Sequence, residues 1–171
     1  MKLTFATLLL GAIALSACTS PERFGPGSGA DAGAGAMGAA GIEGSPLDPA
    51  SPAYFQQTVG DRVLFVVDQS TIAPEYQPVL ASQAQWLIAN PEYSALIEGH
   101  ADEQGTRDYN LALGARRANA VQTYLISQGV APNRVRTVSY GKERPLEICS
   151  DEACYSHNRR AVTVVSPAGL G

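Results

Sequence analysis

IEGHADEQGTRDYNLALGARRANAV, residues 97–121, reads as strand, loop and helix. Ala95 to Gly99 has strand character, and His100, Ala101 and Asp102 lead out of it. Thr106 stands where a helix N-cap accepts from backbone N–H groups, and Asp108 falls in a first turn whose dipole favours an acid. The helix is expected to run to about Gln128 and to stop at Gly129, a usual residue just past a helix end. At about 100° per residue, Leu125, Ala118, Asn110 and Arg117 all fall within about 60° of Val121, whereas Arg116 falls about 140° away. One arginine of the pair faces the core and its neighbour faces water. An inward guanidinium is expected to need an anionic partner. Asp102, in the loop just upstream, is the nearest one in sequence.

Working outward, Arg62 to Val67 is apolar on both alternating faces and is expected to be an interior strand. Pro74 can open a helix, but Pro78 inside it would remove a backbone bond, so the main body is placed near Pro78. Leu80, Ala84, Leu87 and Ile88 then repeat at helical spacing, and the helix stops before Pro91. Trp86 is read as packing, without a functional role. Arg134 to Tyr140 is a third strand, Gly141 to Pro145 a polar loop, Asp151 to His157 a short helix, and Arg159 to Val165 a fourth strand ended by Pro167. Glu98 and Arg160, both on strands, are expected to pair across the sheet. Strands alternating with helices give an α/β layer structure of roughly 110 residues, helices packed on a four-stranded sheet, assigned to residues 56–167 with 168–171 as a tail.

Composition bounds what such a domain can do. The 171 residues carry 12 basic and 16 acidic side chains, a net charge of −4, with no basic run, a poor match to nucleic acid or anionic lipid headgroups. Lys2 precedes an apolar run from Leu3 to Leu15, far short of the ~20 residues that span a bilayer, and small residues then lead to Cys18. Residues 1–17 are read as an export signal. Leu15-Ser16-Ala17-Cys18 resembles the bacterial lipobox, which makes Cys18 a lipid-modified first residue, and Thr19 after it implies the outer membrane. Residues 18–55, rich in Gly, Ala, Ser and Pro, read as a flexible tether with an r.m.s. span of roughly 30 Å and a limit of roughly 120 Å. Gly33, Gly35 and Gly38 fit G-x-G-x-x-G, but no strand precedes them and no amphipathic helix follows, so a dinucleotide site is rejected. Lipidation of Cys18 leaves Cys149 and Cys154 as an even pair in an oxidising compartment, a disulfide worth roughly 2 kcal/mol. A metal site from Cys149, Cys154 and His157 lacks an evident fourth ligand.

Two readings of Asp102 and Arg117 are open from the residues alone. They pair with each other, or they stand apart and complement a zwitterion, the guanidinium fork on its carboxylate and Asp102 on its ammonium. Asn110, seven residues before Arg117 on the same face, adds a directional donor. A hydrolase using Asp102 and Glu103 is the enzymatic alternative; adjacent loop carboxylates need not converge, and neither H-E-x-x-H nor G-x-S-x-G occurs.

The stretch 97–121, together with Ser139-Tyr140-Gly141-Lys142-Glu143-Arg144-Pro145 and Asn158-Arg159-Arg160-Ala161-Val162, resembles the peptidoglycan-binding domain of the OmpA-like family, over residues 60 to 166. The family's Asp, followed fifteen residues later by the second arginine of a pair, is met by Asp102 and Arg117. The resemblance implies a mixed four-stranded sheet, no catalysis and no cofactor beyond the lipid. It implies that Asp102 and Arg117 hold the ammonium and carboxylate of meso-diaminopimelate in the wall peptide, with Asn110, Leu113, Phe65, Val66 and Ala101 around them. Val66 stands where similar lipoproteins often carry Asp, which leaves only a backbone role there. The implied partners are peptidoglycan, the outer membrane through the lipid, and TolB with other Tol proteins, in envelope integrity and cell division. A tethered member of the family without Tol partners is one alternative, and a wall hydrolase using Asp102 and Glu103 is the other.

Overall fold

A computed structural model describes residues 44–148 and 150–169. The signal, Cys18, most of the tether and Cys149 lie outside the described residues. The elements are α1 (Pro52–Tyr54), β1 (Arg62–Leu64), α2 (Gln77–Ala89), β2 (Tyr93–His100), α3 (Arg107–Ser127), β3 (Val135–Gly141), α4 (Glu152–Asn158) and β4 (Arg160–Pro167). The four strands form one mixed sheet in the order β1-β4-β2-β3, with β2 parallel to β3 and β4 antiparallel to both its neighbours. This is the expected layer structure. One face of the sheet carries α2 and α3, whose apolar sides meet Ala95, Ile97 and Ala161 in a single core.

The edges of that core depart from the sequence reading in informative ways. β1 is an edge strand of three residues, not an interior strand of six. Its ladder ends where Phe65 N–H donates to Arg159 O, and the next two side chains, Val66 and Val67, are 55% and 41% exposed. The chain then turns at Asp68, whose φ of 56° is left-handed. Ile88, expected in the core, is 50% exposed, because α2 buries Leu80, Gln83, Ala84, Trp86 and Leu87 instead. Packing also begins before residue 56: Phe55 is 1% exposed, Trp86 lies 4.9 Å from its ring, and Trp86 Nε1 donates to Pro49 O at 2.7 Å. A buried indole N–H needs an acceptor, and here the segment entering the domain supplies it.

Two glycines set the seat of α3. A Cβ on Gly99 would stand 1.9 Å from Gly114 O, and one on Gly114 would stand 2.4 Å from Ser139 Oγ and 2.8 Å from Gly99 O. Strand and helix backbones therefore touch at this crossing. Arg117 lies three residues beyond the contact, less than one helical turn, and the close approach carries it down against the ends of β1 and β2. Cys154, at the start of α4, is buried and disulfide-bonded.

Candidate functional site

Three segments converge at the C-terminal ends of β1 and β2: Phe65 to Ser70, His100 to Thr106, and the first three turns of α3. The helix starts as expected, with Thr106 Oγ1 accepting from Tyr109 N–H at 3.2 Å. Its inner face carries Asn110, Leu113, Arg117, Ala118, Val121 and Leu125, all buried, while Arg116 is exposed. The division between the paired arginines is the one the helical wheel requires.

Arg117 is fully covered, at 0% exposure, yet it makes no ion pair among the described residues. Its Nε donates to Gln69 O at 2.8 Å, Nη1 to His100 O at 2.8 Å and Nη2 to Val66 O at 3.1 Å. The Phe65 ring lies 5.3 Å from the guanidinium carbon. The expected anionic partner is thus replaced by three backbone carbonyls, which satisfy hydrogen bonds without supplying a net negative charge. Three of the five guanidinium N–H groups are spent and two remain. Burial pulls the Arg117 pKa down to about 10, against the field of Asp102, which favours the charge; Arg159 lowers it further. The cation is held where it is costly and is not neutralised by contact.

Asp102 is buried and paired elsewhere. Its Oδ2 accepts from Arg159 Nη1 at 3.1 Å and its Oδ1 from Gln104 N–H at 3.2 Å. Arg159 also donates to Phe65 O at 3.2 Å and to Glu152. Burial opposes its charge, but the bonds to Glu152 and Asp102 prevail and hold its pKa above the ordinary value. Arg159 fixes the orientation of Asp102 and belongs to the site, although the sequence reading gave it only a strand position. A signal was present: Ala161 and Thr163 face the core, so alternation puts Arg159 on that same side of β4.

The remaining expected residues support the loops. Asn110 donates one of its two Nδ2 hydrogens to Gln104 O at 2.7 Å and so pins the β2–α3 loop. Lys142 reinforces that loop from the other side by donating to Gly105 O at 2.7 Å. Ala101 is buried, its N–H bonded to Gly141 O at 2.8 Å, and Leu113 is buried on the inner face of α3. Val66 contributes its carbonyl to Arg117 and leaves its side chain in solvent. His100 turns its ring away from Arg117 to lie 5.6 Å from the Tyr140 ring, and neither ring nitrogen has a hydrogen-bond partner among the described residues. Burial and the nearby Arg160 and Arg144 guanidinia lower its pKa to about 4. The expected Glu98–Arg160 pair does not form: Glu98 lies 3.8 Å from His100 Nε2, and Arg160 donates to Asn158 O and Arg144 O.

A family model described as OmpA matches residues 64–159, the span that holds every side chain of this constellation. The chain belongs to the OmpA family. It is 50% identical over 161 residues to a peptidoglycan-associated lipoprotein of Rhizobium meliloti, covering 94% of this chain and 86% of the relative, and 48% identical to one of Mesorhizobium japonicum, covering 94% and 90%. Among solved structures, the peptidoglycan-associated lipoprotein of Burkholderia pseudomallei is 40% identical with a TM-score of 0.63, over 71% of this chain and 98% of that one. The C-terminal domain of Helicobacter pylori MotB, 22% identical with a TM-score of 0.59, shares the fold. Within the family the chain groups with the peptidoglycan-associated lipoproteins, and it is a binding module, not an enzyme.

Proposed function

We propose that this chain is an outer-membrane lipoprotein that binds peptidoglycan non-covalently through the zwitterionic end of meso-diaminopimelate. The observation that carries the reading is the buried Arg117, charged, held by carbonyls alone and close enough to Asp102 to feel its field. A ligand carboxylate supplies the negative charge that the carbonyls lack, and its ammonium shares Asp102 with Arg159. Because Arg117 has no exposed surface, the carboxylate reaches it by taking over from the carbonyls of Val66 and Gln69, in the loop that leaves β1. Phe65, Val66, Ala101, Asn110 and Leu113 shape and brace the receptor around the two charged groups.

Acylation of Cys18 and the tether behind it then hold the domain within reach of the wall, at the outer membrane. Cys149 closes the disulfide with Cys154 and clips the segment ahead of α4, the helix that carries Glu152. The relatives' shared name and the family likeness support the anchoring role, and the same likeness supports partnership with TolB and the Tol system in envelope integrity and division. Cosedimentation of the detergent-solubilised full chain with isolated sacculi tests the receptor. The unaltered protein pellets with the wall, and Arg117→Lys, which keeps the charge but not the planar fork, is lost from the pellet. Equal sedimentation of the two overturns the reading.

A further inference from the structure

Beside the receptor, and sharing Arg159 with it, lies a groove of about 250 Å³. Leu64, Val67, Ala73 and Tyr76 give it apolar walls, and it shares Phe65, Val66 and Arg159 with the receptor. Its size lies below the ~300–1,000 Å³ of pockets that hold drug-sized molecules and suits one small aliphatic group. Its rim is acidic. Glu152 is committed to Arg159, whereas Glu75 makes no ion pair among the described residues and is available to an N–H donor. An unpaired carboxylate at the mouth disfavours a second carboxylate and favours an amide.

Those features define an occupant. Diaminopimelate reaches from its zwitterionic end through three methylenes to a second carbon, which in wall peptides carries further residues through amide bonds. We propose that the groove is a second subsite that takes the small aliphatic residue amide-linked to that far end. The proposal rests on the assignment of Asp102 and Arg117 as the zwitterion receptor. Two ligands separate the subsites: meso-diaminopimelate alone, and the same compound extended at one carboxyl by alaninamide.

Calorimetric titration into the full chain should show the extended ligand binding about fourfold tighter or better, the gain expected from burying one methyl group. Ala73→Asp, in the groove wall and outside the three receptor segments, removes that gain and leaves affinity for diaminopimelate within about twofold, since substitutions away from the contacts are near neutral. Ala73→Gln repeats the comparison without the added charge. Equal affinities for the two ligands, or equal weakening of both by the Ala73 variants, overturn the groove assignment alone. Failure of diaminopimelate itself to bind the unaltered protein overturns the receptor, and this subsite with it.

Discussion

Two arginines at opposite ends of the sheet are each held by three backbone carbonyls. Arg117 takes the carbonyls of Val66, Gln69 and His100; Arg134 takes those of Leu87, Asn90 and Tyr93. Arg134 is half-buried and sits at the C-terminal end of α2, where the last carbonyls of a helix carry partial negative charge and have no partner of their own. Its cation completes that helix end. Arg117 is fully covered, and its three carbonyls come from a loop and a strand end with no helix dipole behind them. Three carbonyls around a guanidinium therefore serve two purposes: at one end the charge answers a local need, at the other it is left over.

Substitution should separate the two ends sharply. Arg117→Ala is expected to weaken sacculus binding by about 100-fold, the cost of removing one partner of a desolvated charge pair. Arg134→Ala should leave binding within about twofold and instead lower unfolding free energy by about 1–3 kcal/mol, because buried carbonyls lose their donor. Denaturant titration beside cosedimentation reads both effects. A binding loss at Arg134 equal to that at Arg117 would erase the distinction.

Gly99→Ala attacks the positioning of the Arg117 end directly. With only 1.9 Å between the added Cβ and Gly114 O, α3 must lift from β2, at a cost of about 3 kcal/mol or more. Thermal denaturation should show it, and binding should fall further than the stability loss explains.

Acid provides a milder probe. The His100 pKa is about 4 in the folded chain, below its ordinary 6.5, so only the unfolded chain takes up this proton between those values. Stability due to this group is present above pH 6.5 and is lost as pH falls through about 4, to a limit of ~3 kcal/mol. His100→Gln should flatten that part of the stability profile. The smallest effect belongs to Arg116→Ala, expected to change binding by less than about twofold because the side chain points to water.

The helical period made one half of the site legible. Asn110, Leu113 and Arg117 fall on one face in sequence and are buried together in the structure, and the caps at Thr106 and Gly129 bound the helix as expected. What the period could not give was the partner of each charge. The Asp102–Arg159 pair spans 57 positions, and of the three carbonyls that hold Arg117 that of Val66 comes from a segment whose apolar composition reads as strand. Val66 and Val67 have strand propensity, but the demand of a buried guanidinium for acceptors, together with the edge position of β1, turns them into an exposed loop. The Gly99–Gly114 contact was equally invisible, since a glycine within a strand does not announce which backbone approaches it.

The central claim is that Arg117 awaits a carboxylate carried on the same carbon as an ammonium. Calorimetry with two wall stem tripeptides tests it most directly, one ending in meso-diaminopimelate and the other in lysine, whose side chain offers the ammonium without that carboxylate. The account predicts binding of the first and at least about tenfold weaker binding of the second, the loss of one charge-assisted contact. Equal affinity for the two peptides would contradict it.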